Sequence, residues 1–201
     1  MNTLFHLRTP RLLLRRWRAD DFAEFAKLNS DSEVMRYFPD VLAATESDAL
    51  AHRISSTVEE QGWGLWAAES RPVDGVEGAG EFLGFIGLGH NDVTPRGELV
   101  EVGWRLRRTS WGQGLATEGA KAALVFAFEI LKLPEIFSFT STGNSRSRAV
   151  MQRLGMENTN ENFMHPKVEQ GSPLREHVLY RISAEQFDCD VPVEIEAVGR
   201  S

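Results

Sequence analysis

From Leu99 to Leu131 the chain passes from an alternating apolar run, through a glycine turn, into a long helical pattern. Few folds accommodate that order. The run Leu99-Val100-Glu101-Val102-Gly103-Trp104-Arg105-Leu106 predicts a strand, and Ala116 to Leu131 predicts a helix. Between them stands Trp111-Gly112-Gln113-Gly114-Leu115-Ala116-Thr117-Glu118. Glycines let backbone approach a guest closely, and the first N–H groups of a helix have no acceptor of their own. The combination predicts an anion site, with a phosphate or pyrophosphate held by backbone N–H groups from Gly112, Gln113, Gly114, Leu115, Ala116 and Thr117.

Spacing excludes the commoner phosphate loops. A Walker loop needs Lys and then Ser or Thr after its last glycine, where this chain has Leu115 and Ala116. A dinucleotide fingerprint needs a third glycine where Thr117 stands. A second segment narrows the reading: the strand-like run Ile136 to Thr140 leads to Asn144-Ser145-Arg146-Ser147 and on to Leu154-Gly155-Met156.

The two segments, in this order, resemble the GNAT superfamily of acetyl-CoA-dependent N-acetyltransferases. Within it the chain is similar to the RimJ/RimL-type branch, named for enzymes that acetylate ribosomal-protein N-termini. That branch reads as Trp/Tyr-Gly-x-Gly-x-Ala-x-Glu, then Asn-x-x-Ser and a Leu-Gly-Phe/Met helix end. Leu7 to Arg15 also looks like its first strand, so the resemblance runs from about Leu7 to about Ser183. Thr109 stands where the wider superfamily often has Gln or Arg, as is common in this branch. The resemblance implies acetyl-CoA as cosubstrate and an α/β (α+β) fold. Its mixed, mostly antiparallel sheet would have about seven strands flanked by helices, with two central strands splayed at the cofactor.

Composition bounds the alternatives. A chain of 201 residues fits one globular domain burying roughly 70% of its unfolded surface. The net charge of −7, from 29 acids against 22 bases, argues against a nucleic-acid partner and suits an amine acceptor. The single cysteine, Cys189, excludes an internal disulfide and a Cys-based zinc site, and no metal is expected. There is no Lys/Arg-then-apolar signal and no apolar run of the ~18 residues that a membrane span requires. The expectation is a cytoplasmic protein, monomeric or homodimeric, with no membrane partner.

Along the chain, Arg11 to Trp17 predicts an edge-like strand, and Asp20 and Asp21 a helix cap. Thr45-Glu46-Ser47-Asp48 predicts a capping box before a helix with Leu50, Ile54 and Val58 inward and Gly62 at its end. Trp63 to Glu69 and Phe82 to Leu88 read as a strand pair joined by a mobile hairpin loop, Arg71 to Gly80. In the Ala116 helix, Gly119, Ala123, Phe126, Ala127 and Ile130 share one face. Asn158 to Met164 and Glu176 to Ser183 read as closing antiparallel strands. Residues 1–185 are expected to form the domain and 186–201 a loose tail.

Acetyl transfer to an amine needs a polarised thioester carbonyl, for which a backbone N–H near Trp104 or Leu106 is suitable. It also needs a base for the ammonium and an acid for the departing thiolate. Glu101 is the candidate base: a carboxylate against an apolar sheet has a raised pKa, although the same residue could simply face solvent. Ser147 is the candidate acid by resemblance, its alternative being a first-turn structural hydroxyl. Asn144 can cap its helix and also meet the pantetheine. Glu118 matches the family's Glu, yet its place in the first turn also suits a purely structural role at the positive helix end. His177 could face the cleft, His165 less so, and Trp17, Tyr37, Phe38, Trp63 and Trp66 read as core or cleft wall. No cysteine lies near either motif, which disfavours an acyl-cysteine route. The expected function is direct acetyl transfer to a primary amine, on a protein N-terminus or a small molecule. The alternative is a CoA-binding sensor or adaptor without turnover.

Overall fold

A computed structural model describes residues 3–71 and 80–199. Most of the expected hairpin loop, residues 72–79, lies outside the described residues.

The chain begins with β1 (Leu4–Arg8) and β2 (Leu12–Arg15), then α1 (Asp21–Ser30), α2 (Ala44–Gln61), β3 (Leu65–Ser70), β4 (Phe82–Thr94) and β5 (Gly97–Leu106). It continues with α3 (Leu115–Glu129), β6 (Glu135–Ser141), α4 (Ser145–Arg153), β7 (Glu157–Asn158), β8 (Phe163–Met164), β9 (Glu176–Ser183) and β10 (Glu194–Val198). The strands form one open sheet ordered β10-β1-β2-β3-β4-β5-β6-β9-β7, with β8 also on β9. Every pairing is antiparallel except β5 with β6.

The sheet therefore has ten strands among the described residues, where about seven were expected. Two are gained at one edge. Leu4–Arg8 is a strand separate from β2, so β2 is interior and no edge. Residues 194–198 pair with β1 from Leu4↔Val198 to Arg8↔Glu194, so the tail ends in a strand. The third gain comes from a split of the expected Asn158–Met164 strand. Asn160 has φ 60, and its N–H donates to Asn158 Oδ1 at 2.9 Å, turning the chain between β7 and β8.

Side-chain alternation divides the core between the two faces. On one face Leu12, Leu14, Ile86, Val102 and Leu106 pack beneath α3. A Cβ on Gly119 would lie 2.4 Å from Ile86 Cδ1, so this glycine sets how closely α3 approaches the sheet. The helix ends at Glu129, which leaves Ile130 exposed rather than on the buried face. On the other face Trp17, Phe25, Ala51, Ile54, Ala67 and Phe85 form the core beneath α1 and α2. Gly62, φ 85, terminates α2 as expected. At its start only half of a capping box forms: Ala43 N–H donates to Glu46 Oε2 at 2.8 Å.

A buried ion cluster joins α1 to the sheet. Arg15 Nη1 and Nη2 donate to the two Asp21 oxygens at 2.7 and 2.8 Å, and its Nε donates to Glu69 Oε2 at 2.6 Å. The Asp21 carboxylate is spent on this cluster, and Asp20 makes no side-chain cap. Arg15→Met would leave Asp21 buried without its ion partner and Glu69 with the more exposed Arg18 alone, at a cost of about 3–5 kcal/mol. The expected outcome in urea unfolding is a midpoint lowered accordingly, with little change for Lys27→Met on the exposed face of α1.

Candidate active site

The site is built where β5 meets β6. Parallel neighbours normally share an evenly bonded ladder. Here pairing is confined to one position, Glu101 opposite Phe137, and β6 continues its ladder with β9 instead. Beyond Glu101 the two strands part, and the β6-facing backbone of Val102 to Leu106 is left without a strand partner. That stretch contains Trp104 and Leu106, the expected donors to a thioester carbonyl. Trp111 Nε1 donates to the Leu106 carbonyl at 2.8 Å, which ties the following loop to the end of β5.

The loop and α3 fit a phosphate-bearing guest. Gly112 and Gly114 have φ 75 and 77, a region that side chains rarely adopt, and no protein atom lies within 4 Å of a Cβ placed on Gly112. The first helical bond runs from Glu118 N–H to the Gly114 carbonyl at 3.0 Å. The N–H groups of Leu115, Ala116 and Thr117 therefore have no acceptor within the helix. Leu115 turns its side chain into the core, and Gln113 Nε2 donates back to the Thr109 carbonyl at 2.9 Å, so both can offer backbone only. Glu118 points away from this opening. Its carboxylate accepts from Thr9 Oγ1 at 2.6 Å, from Arg11 N–H at 2.9 Å and from Arg11 Nε at 2.6 Å, and so fastens α3 to the start of β2.

Helix α4 starts at the open end of β6, on the α3 side, where Met151 and Leu154 enter the core. Asn144 caps it, accepting Ser147 N–H on Oδ1 at 3.2 Å, while its Nδ2 donates to Thr140 Oγ1 at 2.9 Å. A cofactor contact from this side chain has the second amide hydrogen and one Oδ1 lone pair left. Ser147 is half-buried on the stripe it shares with Met151 and Leu154, and its hydroxyl makes no hydrogen bond among the described residues.

Glu101 lies on the opposite face of the sheet. Even-numbered residues of β5 pack under α3, while the odd-numbered Arg105 meets Phe85 under α1. Glu101 shares that second face with Leu99 and Phe137. Desolvation pushes its carboxyl up to about 7, against a lowering hydrogen bond with Asn91. His177 lies on this face too, in a ring cluster with Phe139, Phe163 and His165, and its Nδ1 is 3.1 Å from the Arg175 carbonyl oxygen. Burial lowers the pKa of both histidines, so neutral rings pack here as wall. Trp17 and Trp66 belong to the core, while Phe38 stays partly exposed above β5. Arg105, at the centre of this face, was missed by sequence reasoning; the one available signal was a cation in an apolar strand.

The profile of the acetyltransferase (GNAT) domain matches residues 11–157. The chain belongs to the GNAT acetyltransferase family. GNAT acetyltransferases use acetyl-CoA, and the open loop and unpaired strand backbone described above suit that cosubstrate. The chain is 31% identical to FsC-acetyl coenzyme A-N(2)-transacetylase of Aspergillus fumigatus over 175 residues, 80% of this chain and 68% of that protein. An acetyltransferase from Agrobacterium tumefaciens superposes with TM-score 0.68 at 26% identity, over 90% of this chain and 94% of that one. Mycobacterium smegmatis RimJ, in complex with CoA-disulfide, shares the fold with TM-score 0.65 at 21% identity, over 92% and 91%. Among the described residues no helix of this GNAT chain is long and apolar enough to cross a membrane, and no group of three or more His, Cys, Asp or Glu is placed to hold a metal.

Gly114→Val places a β-branched residue at φ 77 beside the free N–H groups of α3. The expected result is a folded protein, destabilised by about 1–3 kcal/mol, with CoA binding lost in calorimetry.

Proposed function

We propose that this chain is an N-acetyltransferase that transfers acetyl directly from acetyl-CoA to a primary amine. The observation that carries the reading is Glu101: a carboxyl raised to about 7 at the one paired position of β5 and β6, where the strands part. Such a group is half ionised near neutral pH and can take a proton from an ammonium. Acetyl-CoA supplies the activated acetyl group and a thiolate leaving group.

The chain's own groups divide the work across the sheet. Backbone N–H groups from Gly112, Gln113, Gly114, Leu115, Ala116 and Thr117 hold the pyrophosphate at the positive end of α3. Backbone at Trp104 and Leu106 grips the pantetheine and polarises the thioester carbonyl. Glu101 receives the amine proton on the α1/α2 face. Ser147, with an unengaged hydroxyl on the α3 face, supplies a proton to the thiolate. Asn144 holds the start of α4, and hence Ser147, against Thr140. The name of the Aspergillus relative, an N(2)-transacetylase, agrees with nitrogen as the atom acylated.

The rate should rise with pH through about 7 and level off above it, because only ionised Glu101 accepts the proton. Glu101→Gln should remove that limb and lower kcat about 10²–10⁴-fold while leaving CoA affinity near wild type. An acetyl-CoA consumption assay across a panel of amines, repeated from pH 5 to 9, checks both. A protein that binds CoA yet acetylates no member of the panel is a sensor instead.

Ser147→Ala should lower turnover more than cofactor affinity, since its proton is needed only as the C–S bond breaks. Because Asn144 accepts the Ser147 backbone N–H, which alanine retains, the melting temperature should change little. Full activity in the variant would assign the acid role to water.

A further inference from the structure

Arg105 is a cation with no anion among the described residues. We propose that it is the acceptor-recognition residue, and that the amine substrate carries a carboxylate which Arg105 binds. This rests on the N-acetyltransferase reading and deepens it: the acceptor class is an amino carboxylate rather than a simple amine or polyamine.

The guanidinium sits on the α1/α2 face of β5, four residues beyond Glu101, about 13 Å along the strand. Phe38 covers it, with the guanidinium carbon 4.1 Å from the ring centroid, and Phe85 lies beneath at 5.4 Å. Nη1 donates to Asn29 Oδ1 at 2.6 Å, and this is its one hydrogen bond among the described residues. Asn29 is itself oriented by Nδ2, which donates to Ser47 Oγ at 2.9 Å. Nε is buried without a partner among the described residues. No carboxylate among the described residues acts on the group, and desolvation alone pulls its pKa down to about 10.

The contrast with Arg15 shows what this chain does with a cation it buries for structure. Arg15 is held by two carboxylates, and Arg11, half exposed, has Glu118. Arg105 has an amide oxygen and two aromatic faces, which hold a guanidinium in place without neutralising it. A buried donor without an acceptor is costly. Arg148 and Arg175 also have an orphaned Nε. What sets Arg105 apart is a guanidinium against two aromatic rings with no carboxylate among the described residues acting on it. The side chain remains partly exposed, so a ligand can reach it.

Its surroundings place that ligand at the reaction. Phe38 and Tyr37 belong to the loop between α1 and α2, and a Cβ on Gly143 would lie 3.8 Å from Tyr37 Cε1. The loop therefore spans from Arg105 to the β6–α4 turn, across the mouth of the gap between β5 and β6. An amine lying under it has Glu101 at one end, to take the ammonium proton, and Arg105 at the other, to pair with a carboxylate. In a chain of net charge −7 an anion gains nothing from long-range attraction, so the charge match has to be local.

The test uses matched acceptors differing only in carboxylate against carboxamide: α-amino acids, ω-amino acids of increasing length, and their amides. Calorimetry with the N-acetylated product of each pair, in the presence of CoA, reads recognition without turnover. Binding of the carboxylate at least tenfold tighter than the carboxamide is expected, with the ratio falling to within threefold in Arg105→Gln. Arg105→Lys, which keeps the charge but not the fork, should restore part of the ratio if Gln unfolds the loop. Equal affinity within every wild-type pair overturns the proposal. The acetyl-CoA consumption assay on the same pairs tests transfer separately: selective product binding without turnover rejects the enzyme and keeps the carboxylate site.

Discussion

The parting of β5 and β6 governs this molecule. Two adjacent parallel strands that pair at a single position, Glu101 opposite Phe137, leave a wedge in an otherwise continuous sheet. Backbone left unpaired inside a protein demands a partner, and here a cosubstrate can provide it. The wedge persists because each strand is secured on its far side, β5 through a long ladder with β4 and β6 through seven paired positions with β9. It also gives the site two sides. The Gly112–Gly114 loop, α3, α4 and Ser147 lie on one, and Glu101, Arg105 and the α1–α2 loop on the other. In the proposed reaction, a thioester crossing the wedge would have Ser147 on one face and the amine with Glu101 on the other.

Charges in this fold fall into two kinds. Arg15 with Asp21 and Glu69, and Glu118 with Arg11 and Thr9, join separate elements: α1 to β2 and β3, α3 to the β1–β2 turn. Each is closed, with its hydrogen bonds spent inside the protein. Glu101 and Arg105 are open. One carries a raised pKa and the other a lowered pKa, both from desolvation, because neither faces an opposite charge among the described residues. Perturbed groups of this kind, on the same face of one strand at an opening, are candidates for contact with a ligand.

Where sequence reasoning was wrong, the reasons are local. The tail contained its signal: Val193, Ile195 and Ala197 alternate with Glu194 and Glu196, and Val193 and Ile195 pack on the core. The strand Asn158–Met164 was read as continuous, while the turn at Asn160 interrupts it. Asp21 was read as a cap because acidic residues precede a helical pattern, yet a buried guanidinium competes more strongly for a carboxylate than a helix terminus does. For Glu118 the structural alternative prevailed, since three hydrogen bonds turn it to the β1–β2 turn.

The sequence by itself determined the elements and their chemistry where neighbours in the chain suffice. The turn at Gly112 and Gly114, the free N–H groups of α3, the Asn144 cap and the alternation that sets Glu101 opposite the α3 face are all local, decided by steric limits and hydrogen-bond counts over a few residues. Which strands lie side by side was not local. Only the tertiary structure decided that β5 and β6 share one paired position, that the last strand covers β1, and that Asn29, Phe38 and Phe85 surround Arg105. Those facts depend on residues 20 to nearly 200 positions apart in the chain, and on desolvation, which no short segment possesses until the rest has packed around it.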